Sequence, residues 1–157
     1  MSNQDIAMPS LLSVAHQILP LNQDFDRQII EFVQLLEPQL DTGLLQSRVS
    51  AMRAQSAEFI GVFDADLVPT LLGIAAVSFR THCFSGKVAY VENVVFVPEM
   101  RQRGLGELLM NWLENYGKSR ACSMITLDTY HRNARARTFY ERLGYDPRGV
   151  HFVKSLL

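Results

Sequence analysis

The chain has 157 residues, 48% of them hydrophobic and 20% charged, with a formal net charge of −1. That length suits a single core, and that composition excludes an intrinsically disordered chain. The near-zero charge gives no electrostatic basis for nucleic acid or an anionic membrane as partner, and no apolar stretch approaches the ~18–20 residues that cross a bilayer.

Residues 1–10 read as a flexible tail, and 11–157 as one domain. The tail carries Asp5 and no basic residue before an apolar run, which is unlike a signal peptide. Cys83 and Cys122 lie far apart with no Cys or His at ligand spacing, so neither a metal site nor a disulfide framework is expected, and the chain reads as a reduced, cytoplasmic protein. Residues 11–18 are weakly strand-like. Asp24 can cap a helix to about residue 36, where Phe25, Ile29, Phe32, Val33 and Leu36 fall at helical spacing and Pro38 follows. Thr42 can cap a second helix over 44–54.

The period then changes. Residues 58–63 form a short apolar run ending in the polar turn Asp64-Ala65-Asp66. Two long strand-like runs, 70–80 and 87–97, flank a loop with Ser85-Gly86 and read as an antiparallel meander. Residues 104–120 are helical, with Leu105, Leu108, Leu109, Trp112, Leu113 and Tyr116 on one stripe. A strand over 124–129, a helix over 133–143 ended by Gly144 and a last strand over 152–157 complete the chain. A strand–helix–strand unit beside an antiparallel meander implies a mixed sheet covered by helices.

Residues 90–107 are the most informative. A strand ending in Val94-Val95-Phe96-Val97-Pro98 runs into Arg101-Gln102-Arg103-Gly104-Leu105-Gly106-Glu107, a glycine loop that opens the amphipathic helix. The first turn of a helix has backbone N–H groups without partners, and the helix dipole favours an anion there. Gly104 and Gly106 remove side chains where a phosphate would approach the backbone. The loop lacks the Gly-Lys-Ser/Thr of a Walker motif and the third glycine of a dinucleotide fingerprint. Taken alone it is equally a plain strand-to-helix turn.

The second block is Asn133-Ala134-Arg135-Ala136-Arg137-Thr138-Phe139-Tyr140-Glu141-Arg142-Leu143-Gly144-Tyr145. With it the chain resembles the GNAT superfamily of acetyl-CoA-dependent N-acetyltransferases. Arg101-x-x-Gly104-x-Gly106 stands for the family's Arg/Gln-x-x-Gly-x-Gly/Ala. Asn133-x-x-Ala136-x-x-Phe139-Tyr140-x-x-x-Gly144-Tyr145 matches its second block, with Tyr145 in place of a final Phe. The match covers residues 87–157. It implies an α/β fold of the α+β type, with a mixed, mostly antiparallel central sheet of six to seven strands flanked by about four helices.

The resemblance also implies a site for acetyl-CoA as cosubstrate, with no metal. The pantetheine arm would pair with Val94, Val95 and Phe96, beside a bulge that opens the slot. The pyrophosphate would sit on the amides of Gln102, Arg103, Gly104, Leu105, Gly106 and Glu107, with Arg101 and Arg103 adding charge; a solvated Arg103 is equally expected. Asn133 resembles the family's cofactor-contacting Asn and is equally suited to cap a helix. Tyr140 resembles the Tyr whose phenol points at the cofactor sulfur, and a phenol with an ordinary pKa near ~10 can donate to a thiolate. Two carboxylates are candidate bases for the amine: Glu92, placed two residues before the pantetheine contacts and so expected on their face, and Asp128, at the end of the next strand. Direct attack in a ternary complex is expected over an acyl-enzyme.

Arg132, Arg135, Arg137 and Arg142 make a basic helix face, either solvated or facing the 3′-phosphate of coenzyme A. His82 and Cys83 lack a third ligand, and His131 is a loop residue beside the site. The reading is an N-acetyltransferase acting on a primary amine of a small molecule, since the strand with Glu92 and the short C-terminal strand look like those of small-molecule members. A protein N-terminal or lysine acetyltransferase, or a coenzyme A-binding module without turnover, are the alternatives. No nucleic-acid or membrane partner is expected, and a homodimer is compatible with the resemblance.

Overall fold

A computed structural model describes residues 16–156; the expected tail over 1–10 lies outside the described residues. The β-branched runs pair as one sheet. β1 (Gln17–Leu21), β2 (Glu58–Phe63), β3 (Leu71–His82), β4 (Gly86–Phe96) and β5 (Met124–Leu127) lie in the order β1-β2-β3-β4-β5. The pairs up to β3–β4 are antiparallel, and β4–β5 is parallel. A parallel pair needs a crossover, here α3 (Leu105–Ser119), whereas β3 and β4 need only the turn Cys83-Phe84-Ser85 beyond the His82↔Gly86 pair. His82 therefore ends a strand rather than lying in a loop, and Arg80 sits on the sheet.

The remaining helices are α1 (Asp26–Gln34), α2 (Thr42–Ala54) and α4 (Ala134–Arg142). Two helix starts differ from expectation. Asn22 rather than Asp24 opens the first, its side chain accepting from the Asp24 amide ahead of a short 3-10 turn. Asp41 rather than Thr42 caps α2, accepting from the Leu44 amide at 3.0 Å. Asp and Asn accept well at this position because their short side chains reach the second or third orphan amide.

Each face of the sheet carries its own core. On one, α1 and α2 pack Ile29, Phe32, Val33, Leu45 and Val49 against Phe59, Ile74, Ala76 and Val95. On the other, α3 packs Leu109, Met110 and Leu113 against Ile60, Val62, Ala75, Val77, Ala89 and Val91, with Phe139 and Tyr140 of α4, and Leu143 just past its end, beside them. Helices on both faces of a sheet are the layered solution that strand–helix alternation predicts.

The strand count is lower than expected: the described residues hold five strands, not six to seven. The anticipated strand over 152–157 is irregular through residue 156, and Leu157 lies outside the described residues. Alternation makes a strand only where a neighbour supplies hydrogen bonds and a face to bury. Here Val150, Phe152, Val153 and Leu156 stay 78–91% exposed, so the segment has no face to bury, and no described strand pairs with it. No described helix is long and apolar enough to cross a membrane.

Candidate active site

The site begins with a break in β4. Ala76 pairs with Glu92 and Ile74 with Val95, so β4 holds one residue more than β3 over this stretch. Asn93 absorbs the extra residue at φ +55°, a left-handed conformation that Asn tolerates better than most side chains. The bulge inverts the alternation that follows. Val91 belongs to the α3-side core, Glu92 faces the α1–α2 side with Ala76, and Val94 and Phe96 return to the α3 side. Glu92 therefore does not share a face with Val94 and Phe96, as an unbroken strand would have required; Val95 is the one that lies on its side.

The β4–β5 ladder ends at the Val91↔Leu127 pair. Beyond it the two strands part, and Val94, Val95 and Phe96 have no described strand on the β5 side. Their edge carries backbone donors and acceptors open to another extended chain. Phe96 is held by its neighbour opposite: a Cβ on Gly73 would fall 2.2 Å from the Phe96 ring, so the ring lies directly over the glycine.

After β4 the chain makes a turn and enters α3 through Gln102 at φ +65° and Gly104 at φ +81°. Left-handed residues interspersed with right-handed ones turn successive amides to one side, forming a concavity for an anion. The amides of Gln102, Arg103, Gly104, Leu105, Gly106 and Glu107 donate to no described residue, and the first bond of the helix runs from the Leu108 amide to Gly104. Arg101 and Arg103 are exposed there without a described ion pair, while the Glu107 carboxylate turns toward Arg142 at 3.8 Å. The two glycines serve different ends. A Cβ on Gly104 would meet nothing within 4 Å, so this position needs glycine for its φ and for open space. A Cβ on Gly106 would sit 3.1 Å from Phe139, so that glycine sets how closely α3 approaches α4.

On α4, Asn133 is a cap: its side chain accepts from the Ala136 amide at 3.1 Å. Tyr140 is half-buried, its ring edge-on to Phe139 at 5.0 Å and to Tyr145 at 5.7 Å. Its hydroxyl bonds to no described residue, and burial raises its pKa above the ordinary phenol value.

The opposite face of the fork is acidic. Asp128 follows β5 and accepts from the Tyr90 hydroxyl at 2.7 Å, with His151 Nδ1 3.1 Å from the same oxygen. Burial, then the hydrogen bond to Asp128, push the Tyr90 phenol up to about 12. The Arg80 guanidinium lies over the Tyr90 ring at 4.2 Å. Glu92 is half-buried and lines a cavity of about 130 Å³ with Met52, Gln55, Ser78 and Arg80. Asn93, Tyr90 and Ser78 were not read as site residues. The resemblance implies a bulge beside Val94, Val95 and Phe96, and an Asn inside an apolar strand is the residue sign of where it falls, since it suits left-handed backbone.

An open fork in a mixed sheet, next to a helix N-terminus with unengaged amides, suits an extended ligand that carries an anion. The sequence pattern of the acetyltransferase (GNAT) family matches residues 27–145, and the chain belongs to that family. Among curated proteins it is similar to an aminoglycoside N(6′)-acetyltransferase type 1 of Klebsiella aerogenes, 31% identical over 77 residues, 47% of this chain and 51% of that protein. It is also similar to YhfO, an uncharacterized N-acetyltransferase of Bacillus subtilis, 32% identical over 105 residues, 65% of this chain and 62% of that protein. The chain thus spans from half to under two thirds of these relatives' length. The fold is shared with an aminoglycoside N-acetyltransferase solved with CoA, at TM-score 0.79 and 18% identity over 92% of this chain and 97% of that one. It is shared too with the Arabidopsis thaliana glucosamine-6-phosphate N-acetyltransferase, at TM-score 0.68 and 18% identity over 90% and 99%.

Proposed function

We propose that the protein is an N-acetyltransferase that moves an acetyl group from acetyl-CoA to a primary amine of a small molecule, by direct attack in a ternary complex. The observation that carries the reading is the run of unengaged amides from Gln102 to Glu107, placed beside the unpaired edge of Val94, Val95 and Phe96. The amides suit a pyrophosphate, whose charge the α3 dipole also favours. The β4 edge suits the amide groups of a pantetheine arm, which add to it as a strand would. Arg101 and Arg103 add positive charge beside the phosphates.

Acetyl-CoA brings the activated acyl group as a thioester. Glu92 takes a proton from the incoming ammonium, directly or through a water, and frees the lone pair that forms the C–N bond. Tyr140 donates its hydroxyl proton as the C–S bond breaks, so the thiol leaves neutral, and the second proton that the nitrogen sheds as the amide forms returns to the phenolate through solvent. Its raised pKa keeps that proton in place at neutral pH. Glu92 is favoured over Asp128 as the base because it accepts no hydrogen bond from a described residue, whereas one Asp128 oxygen already faces Tyr90 and His151. The cavity at Glu92 is of a size for a small acceptor. Similarity to aminoglycoside acetyltransferases supports the same choice. Mixing the protein with acetyl-CoA and a set of primary amines, and following thiol release, tests the reading: amine-dependent release supports it, and amine-independent background alone removes it.

A further inference from the structure

We infer that Tyr145 and Glu114 are positioning residues: the hydrogen bond between them fixes the ring of Tyr140, and so the place from which its hydroxyl reaches the leaving sulfur. This rests on the role proposed above for Tyr140 and deepens it.

The Tyr140 hydroxyl bonds to no described residue, so no polar contact holds it and the placement of the ring decides where it points. That ring lies where α4 ends. The Gly144 amide donates to the Glu141 carbonyl and the Tyr145 amide to the Tyr140 carbonyl, both at 3.0 Å, with Gly144 at φ +87°. Such a helix ending folds the residue after the glycine back onto the last turn. Tyr145 accordingly meets Tyr140 edge-on, with ring centroids 5.7 Å apart. The backbone brings the two rings together, but it leaves the Tyr145 side chain its own rotamers.

The Tyr145 hydroxyl removes that freedom. It donates to Glu114 Oε1 on α3 at 3.2 Å, and both side chains are half-buried. Burial, then the Glu114 carboxylate, raise the Tyr145 pKa, so the proton that makes this bond stays in place at neutral pH. Tyr140 is thus held against α3 at two points, through Phe139 over Gly106 and through Tyr145 tied to Glu114. Gly106 and Glu114 stand ~12 Å apart along the helix, so the two contacts together oppose tilting of the ring as well as sliding. The same helix opens with the amides that suit the pyrophosphate, which puts acid and cofactor on one rigid support. The pattern that the second block resembles carries Phe where this chain has Tyr145, so a ring alone fills the space and the hydroxyl is left to serve the tie to Glu114.

The test is a mutant cycle on thiol release, with acetyl-CoA saturating and, as acceptor, the amine that gives the fastest release in the assay above. Tyr145→Phe and Glu114→Ala should each lower kcat about tenfold, part of the ~10²-fold that a general acid contributes. The KM for the amine and the calorimetric affinity for acetyl-CoA should stay at wild-type values. The double variant should be no slower than either single one, and Glu114→Gln, whose amide oxygen still accepts, should keep most of the rate. In a Tyr140→Phe background, adding Tyr145→Phe should change kcat less than twofold. Wild-type kcat in Tyr145→Phe, beside a slow Tyr140→Phe, overturns the inference and leaves the role of Tyr140 intact. A further tenfold loss in the Tyr140→Phe background overturns it too, since the hydroxyl then acts elsewhere. So does a loss that appears in KM or in acetyl-CoA affinity, which marks a general loosening of the fold. Full activity in Tyr140→Phe, or no amine-dependent release at all, removes the underlying reading and this inference with it.

Discussion

Gly106 and Phe139 touch across the two helices that carry the two sequence blocks: a Cβ on the glycine would stand 3.1 Å from the ring's Cζ. The glycine loop on α3 and the Asn133–Tyr145 block on α4 are thus one packed unit. Phe139 in turn lies edge-on to Tyr140 at 5.0 Å, so the spacing of the helices fixes where that hydroxyl sits.

Gly106→Ala should therefore be tolerated, because the Phe139 ring tip can give by a few tenths of an ångström. Gly106→Val adds branching that the ring cannot clear and costs ~1–3 kcal/mol of overpacking. Chemical denaturation measures the stability, and kcat should fall more for Val than the stability loss alone explains, since Tyr140 moves with Phe139.

Gly73→Ala tests the other close approach. Its Cβ would stand 2.2 Å from the Phe96 ring, far inside contact distance, near the start of β3 where the strand is buried. Moving Phe96 disturbs the β4 edge as well as the core. The variant should lose ~1–3 kcal/mol and bind acetyl-CoA more weakly than wild type at a temperature where both are folded. Unchanged affinity would separate Phe96 from the cofactor edge.

Much of the fold was legible because the elements that position the site have strong periods. The stripe of Leu105, Leu109 and Leu113 names α3, and the apolar runs around residues 71–82 and 86–96 name the meander. What the sequence hid was local. The bulge at Asn93 reverses the facing of Glu92 relative to Val94, and simple counting by two puts them together. The C-terminal apolar residues Val150, Phe152 and Val153 read as a strand although no described strand pairs with them. Asn133 carries both a cap and a motif position, and the structure shows the cap. The two roles of Gly104 and Gly106 differ only in what surrounds them, which spacing does not report.

Tyr140→Phe removes a hydroxyl and little volume, so the fold should hold while kcat falls ~10²-fold or more, the range of a lost general acid. The pH dependence has a definite sign. Burial raises the pKa of Tyr140, and Tyr90 stands at about 12. Unfolded phenols ionise near ~10, so their contribution to stability is complete below that pH and is lost as pH rises toward the folded values. Thermal unfolding followed against pH should show Tm falling above pH ~10, with Tyr140→Phe weakening the slope. A Tm that declines through neutral pH would contradict this assignment.

Glu92→Gln keeps the shape and removes the proton acceptor. Its kcat should fall ~10²-fold while its affinity for acetyl-CoA changes little, because the side chain lies on the face opposite Val94 and Phe96. Full activity in the Gln variant would shift the base to Asp128 or to water alone.

The most direct test of the account is calorimetric titration of acetyl-CoA into the wild-type protein, Gly104→Ala and Gly104→Glu. Gly104 adopts φ +81° with open space above it, so Ala brings backbone strain of ~1 kcal/mol and Glu adds a side chain and a negative charge where phosphates would sit. The account predicts saturable binding to wild type, modest weakening in the Ala variant and loss of binding in a folded Glu variant. No binding to the wild-type protein, or equal binding to the Glu variant, would contradict a cofactor site on the amides that open α3.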